Sequence, residues 1–173
     1  MLDVGIPGVH LKPLTLHRDE RGSFAEILRS REYPETFVQS NYSFSRKGVL
    51  RGLHYHRHQA DLWFVVSGSL QVGLADLRQP ADPNLMTTTT LNLKSDEPKS
   101  LYIPRGVAHG YLALTDVILI YWVTKEYDAT DEYGIMWNDS QLALNWAATD
   151  KVILSDRDKD NEPLLWDKIA HFS

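Results

Sequence analysis

The chain has no cysteine, which removes disulfides, thiolate-bound metals and a cysteine nucleophile together. It also has no apolar run near the ~20 residues needed to cross a bilayer. The longest, Val117 to Val123, is far shorter. The opening residues, MLDVGIPGVHLKPL, lack a basic region followed by an apolar block. These absences point to a cytoplasmic protein with no membrane partner. Nor is there a basic excess: a formal net charge of -5 over 173 residues argues against nucleic acid, although a few local arginines still suffice for a small anionic ligand. Helical periodicity is scarce as well, and no internal repeat is visible.

What is present is a succession of short alternating segments. A hydrophobic fraction of 43% with 24% charged residues is ordinary for a globular chain, and the length suits one domain over residues 1–173. GVHLKPL at residues 8–14 reads as an edge strand, since Pro13 fits an edge better than a centre. HRDERG reads as a polar turn, and SFAEILR as the next strand. REYPETF suggests a helical turn. From Phe37 to Ser45 the alternation puts Gln39, Asn41 and Ser43 on one face and Val38, Tyr42 and Phe44 on the other. That is a strand with one face in a core and the other lining a polar cavity or solvent. SLQVGLADLR, the threonine run Thr87 to Thr90, LYIP and VILIYWVTKEY read as further strands, RQPADPN as a loop, and RGVAHG as a tight connection. DRDKDNE reads as a charged loop and PLLWDKIAHF as a short closing helix. About ten short strands imply an all-β sandwich or barrel with short peripheral helices.

Chemistry concentrates between Gly48 and Gly68, GVLRGLHYHRHQADLWFVVSG. Residues two apart on a strand share a face, so His54 and His56 project together, and Asp61 returns beside them from the following strand, LWFVV. Such a trio suits a metal or an anionic or carbonyl substrate. The bland alternatives are that Asp61 pairs with Arg57 and that His56 and His58 are partly exposed loop residues. A second signature follows, P-x-G-x-x-H at Pro104, Gly106 and His109. Together the two segments resemble the paired motifs of the cupin superfamily. The resemblance implies a jelly-roll β-barrel and, as one alternative, a divalent metal held by His54, His56, Asp61 and His109.

A closer resemblance runs over nearly the whole chain. FVQSNYSFSRKGVLRGLHY, DLR, IPRGVAHGY, the tyrosine of LIYW, EYGIMWND and ILSDRD, in that order, resemble the dTDP-4-dehydrorhamnose 3,5-epimerase family. The resemblance implies a homodimeric enzyme without a cofactor. It would invert carbon 3, carbon 5 or both in a nucleotide-linked 4-keto-6-deoxyhexose, with residues 8–14 crossing to the second copy. Carried over by position, His54 is the general base, Asp158 the carboxylate that orients it and Tyr121 the opposing acid. Arg21 and Arg51 face the diphosphate, and Gln39, Asn41 and His109 the sugar. Two positions depart from the family's pattern: His56 stands where glutamine is usual, and Asp61 where a lysine is thought to stabilise the enolate. A catalytically silent sugar-nucleotide-binding cupin is the remaining alternative.

Overall fold

The computed structural model describes residues 2–78, 86–147 and 151–169. Its strands are β1 (Leu2–Asp3), β2 (His10–Pro13), β3 (His17–Asp19), β4 (Gly22–Phe24), β5 (Gln39–Ser45), β6 (Leu50–Tyr55), β7 (Asp61–Ser67), β8 (Ser69–Asp76), β9 (Thr88–Lys94), β10 (Lys99–Ile103), β11 (Val107–Ala113), β12 (Val117–Val123) and β13 (Tyr133–Gly134). One α-helical turn, α1 (Asp156–Lys159), follows. A six-stranded sheet runs β1-β2-β10-β7-β12-β5 and a five-stranded sheet β13-β6-β11-β8-β9, with β3 and β4 forming a separate hairpin. From β5 to β12 successive strands alternate between the two large sheets, except at the β8–β9 hairpin. This alternation between two antiparallel sheets is the cupin-type jelly roll.

The alternation within each strand decides what packs where. On β8, Leu70, Val72 and Leu74 point between the sheets and meet Trp63, Val65, Leu101 and Leu119 from the opposite one. Each such fully buried leucine contributes about 1.5–3 kcal/mol. The other face of the five-stranded sheet carries Leu53, Tyr55, Ala75 and Ala108, and the C-terminal segment covers it with Ile135, Leu142, Leu164 and Ile169. That segment has mixed texture because it is a covering layer with one apolar side. Gln71 fixes it by donating to the Asn145 carbonyl and accepting from the Ala147 N–H.

Several local expectations are corrected. The strand read in SFAEILR ends at Phe24, and HRDERG lies inside the β3–β4 hairpin. The helical turn near REYPETF is a 3₁₀ turn at Ser30–Glu32. β2 is not the edge, because two-residue β1 pairs along its outer side. RGVAHG enters β11 by Val107, and the charged stretch DRDKDNE contains α1. The closing helix is absent from the described residues, which form a turn around Trp166 to Lys168, and residues 170–172 lie outside them. Residues 79–84 of the RQPADPN loop also lie outside the described residues. On β5 the apolar face is not core: Tyr42 is 67% and Phe44 47% exposed, because β5 is the edge strand and none of the described residues covers its outer side.

Two glycines are required by geometry. Gly52 has φ +110, and a β-carbon there would lie 2.8 Å from the Gly110 Cα, so β6 and β11 meet at closer range than side chains permit. Gly68 turns β7 into β8 at φ +83, where a β-carbon would lie 2.1 Å from the Asp116 carbonyl oxygen. Gly68→Ala is therefore expected to destabilise the chain by at least about 1–3 kcal/mol from the backbone conformation alone. A urea unfolding midpoint equal to that of the wild type would contradict this account of the turn.

Candidate active site

The two sheets enclose a cavity of about 710 Å³. Gln39, Asn41 and Ser43 reach it from β5 and Tyr121 from β12, while Arg51, His54 and His109 reach it from the facing sheet. Regular pleating puts residues three apart on opposite faces, so Arg51 and His54 should diverge. The positive φ at Gly52 and the register break between His109 and Tyr111 on the partner strand bring both to the cavity. Across the sheet, His54 pairs directly with His109.

His54 Nε2 lies 2.6 Å from Asp158 Oδ1. A carboxylate accepts, so Nε2 carries the proton and Nδ1 is left with the lone pair. Asp158 is buried at the start of α1, where the Ser155 side chain caps its N–H. Burial alone would raise the Asp158 carboxyl, but hydrogen bonds from His54, Ser155 and the Gly52 N–H outweigh it and hold the group below its ordinary 3.8. Tyr121 stands on β12 between Asn41 and Trp63. Burial raises its hydroxyl above the ordinary 10.0, and the Asp61 charge adds to this.

The remaining expected residues divide. Gln39 donates to Asn41 at 2.7 Å, which fixes both amides at the cavity wall. Arg51 donates from Nε to Ser45 Oγ and from Nη2 to the Phe44 carbonyl, and so is held in place beside His54. Arg21 does not line this chain's cavity; it is exposed at the β3–β4 turn and paired with Asp19 at 2.6 Å.

His56, Asp61 and His109 come together, with one potential donor atom from each within 4.8 Å of the others. His54 is not in this group; its Nε2 is paired with Asp158. The structure thus brings three of the four residues of the metal alternative together. The reading of His56 as a partly exposed loop residue is also corrected: it is 9% exposed, and its Nδ1–H donates to the Asp131 carbonyl at 2.8 Å. His58 is exposed. His109 Nδ1–H donates to the Val107 carbonyl, and burial, partly offset by the Asp61 charge, lowers this imidazole to about 4. Asp61 forms no arginine pair among the described residues. It accepts from Gln59 and from the Trp63 indole N–H, while Arg57 stacks over Tyr133.

Sequence reasoning missed two contributors. Trp63 both orients Asp61 and meets His109 edge-on, with ring centroids 5.4 Å apart. Its position in LWFVV has the pattern of ordinary core. Asp131 caps the Arg57 and His58 N–H groups while its carbonyl holds His56. Nothing in the aperiodic ATDEYG stretch signals that.

Comparison with known proteins finds relatives over most of the chain. A family model described as dTDP-4-dehydrorhamnose 3,5-epimerase matches residues 3–165. The chain is 42% identical over 146 residues to the spore coat polysaccharide biosynthesis protein SpsL of Bacillus subtilis, a match covering 82% of this chain and 96% of that one. It is 36% identical over 151 residues to the dTDP-4-dehydrorhamnose 3,5-epimerase of Escherichia coli, covering 82% and 81%. Among solved structures, the Legionella pneumophila dTDP-6-deoxy-D-glucose-3,5-epimerase, in complex with dTDP-4-keto-L-rhamnose, superposes with a TM-score of 0.87 at 29% identity, covering 98% of this chain and 93% of that one.

The hydrogen bonds assign three histidine tautomers. Long-range ¹H–¹⁵N spectra of the neutral rings are expected to show the proton of His54 on Nε2 and those of His56 and His109 on Nδ1. A His54 ring protonated on Nδ1 would overturn the base geometry.

Proposed function

Because the chain belongs to the dTDP-4-dehydrorhamnose 3,5-epimerase family, we propose that it inverts carbon 3, carbon 5 or both in a dTDP-linked 4-keto-6-deoxyhexose. The observation that carries this reading is the hydrogen bond between His54 of the five-stranded sheet and Asp158 of α1, with Tyr121 of the six-stranded sheet lining the same cavity. A merely binding cupin has no use for an oriented imidazole opposite a phenol.

His54 Nδ1 removes the proton from the carbon beside the ketone, and the C–H electrons pass into the enolate. The Nε2–H bond to Asp158 stabilises the imidazolium that forms. Tyr121 then returns a proton to the opposite face of the same carbon, which inverts it. A hydroxyl raised above 10.0 stays protonated at neutral pH and remains a donor. Arg51, beside the base, binds the diphosphate, for which a planar guanidinium is suited. Gln39, Asn41 and His109 contact the sugar.

Arg21 requires a second copy. Its side chain is exposed, paired with Asp19 and absent from the lining of its own cavity, so we assign its diphosphate contact to a neighbour. We assign the homodimer contact to the outer face of β5 and β7, where Tyr42, Phe44 and Val66 are 67%, 47% and 44% exposed. Adjacent apolar exposure of this kind marks an interaction surface. We place the protein in the cytoplasm; among the described residues no helix is long and apolar enough to cross a membrane.

In heavy water, His54→Asn is expected to slow deuterium entry beside the ketone by about 10²- to 10⁴-fold while binding of the dTDP-sugar persists. Tyr121→Phe should retain exchange and lose inversion. Wild-type-like exchange in the His54 variant would remove this residue from the mechanism. In sedimentation the wild type is expected to be a dimer and the double variant Tyr42→Asp, Phe44→Asp a monomer; a monomeric wild type would sink the interface assignment.

A further inference from the structure

Asp61 is a buried carboxylate, 3% exposed, with two neutral hydrogen-bond donors and no Lys or Arg partner among the described residues. A buried anion that meets only neutral groups is costly. The nearest basic atom is His109 Nε2, 3.8 Å from Asp61 Oδ2. That is too long for a hydrogen bond. Moreover, the His109 Nδ1–H is spent on the Val107 carbonyl, so the neutral ring presents a lone pair, not a proton, to the carboxylate. His56 repeats the arrangement: its Nδ1–H is held by the Asp131 carbonyl, and its Nε2 lone pair is free to face inward. One ring nitrogen from each imidazole and an oxygen of Asp61 lie within 4.8 Å of one another.

From this convergence we propose that His56, Asp61 and His109 bind a divalent first-row transition cation at the floor of the cavity. Bonds of about 2.1 Å in a tetrahedral arrangement separate neighbouring ligand atoms by about 3.4 Å. Without a cation the His109 and Asp61 atoms lie 3.8 Å apart and all three within 4.8 Å, so binding would draw them together. Its supports are those of a metal site: backbone carbonyls hold each Nδ1–H and thereby fix the tautomer, and Gln59 and Trp63 orient the carboxylate. Two imidazoles with one carboxylate suit zinc, cobalt, manganese, nickel or ferrous iron, and not magnesium or calcium, which prefer oxygen ligands. Three protein ligands leave a position open to the cavity that His54 and Tyr121 also line. The cation's chemical use, though not its binding, rests on the epimerase reading: an enolate oxygen at the open position would gain the positive charge that no lysine supplies at residue 61.

The test is metal uptake by the full chain, first stripped with a chelator. Wild type is expected to take up about one equivalent of cobalt, displaced by zinc, with a raised thermal midpoint and visible absorption from the bound cobalt. Asp61→Asn and His56→Gln are each expected to weaken uptake at least about 10²-fold. Asp61→Lys should abolish it while leaving the circular dichroism of the folded chain intact. Failure of the wild type to bind cobalt, zinc, manganese or nickel would overturn the proposal, as would uptake unchanged in both the Asp61→Asn and the His56→Gln variants. Stoichiometric uptake without exchange on any 4-keto-6-deoxyhexose would support the site and count against the epimerase reading. Exchange without uptake would do the reverse.

Discussion

The hydrogen bond between His54 and Asp158 joins residues 104 apart in sequence, and most of the architecture is needed to hold it at 2.6 Å. His54 sits on β6, which closes against β11 only because glycines occur where the strands approach most closely. The carboxylate arrives from the opposite direction, on one helical turn at the end of a segment with little secondary structure of its own. That segment is located by burial and by a few polar ties. Leu142 and Leu164 pack under the five-stranded sheet, and Asp139 accepts the Leu164 N–H. Loss of the covering layer would release Asp158 and leave His54 with no fixed tautomer.

The same logic governs the rest of the cavity. A space between two sheets is normally filled with hydrocarbon, as it is at the end occupied by Leu70, Leu101 and Leu119. Polar residues at the other end are tolerated because almost every one is tied to the backbone or to a neighbour. Tyr111 meets Ser43 and Ser45, and Arg51 is held by Ser45 and the Phe44 carbonyl. Such ties remove the desolvation cost of the fixed atom and leave the opposite one available. His54, His56 and His109 are examples, each with one ring nitrogen anchored.

Strand periodicity carried much of this in advance. Parity alone grouped Gln39, Asn41 and Ser43, and the two motif segments fell on paired strands with His54 opposite His109. Parity misleads where the backbone is irregular. Arg51 and His54 belong to opposite faces of an ideal strand, and only the φ of +110 at Gly52 reconciles them. Residues held by non-local backbone atoms were harder still. The burial of His56 depends on the Asp131 carbonyl, 75 positions away, and such a bond has no periodic signature. The outer face of β5 failed for another reason: an apolar stripe indicates that something covers it, but not whether the cover belongs to the same chain.

Asp61 shows how far a single substitution propagates in a closed site. A lysine at this position would place a positive charge against His109 and Trp63 and below the ketone, where an enolate needs it. A carboxylate reverses that field. Added to burial, it raises the Tyr121 hydroxyl, which keeps that group protonated but makes any negative charge nearby harder to form. The neighbouring residues differ in the compensating direction. His56, where glutamine would be usual, adds a second imidazole to that of His109, with a nitrogen of each within 4.8 Å of the carboxylate. Neither change helps an anionic intermediate alone, since one adds negative charge and the other adds none. Taken as a pair they create the set of three donors for which a cation is proposed, and a cation there would restore the sign of the field that a lysine would have supplied.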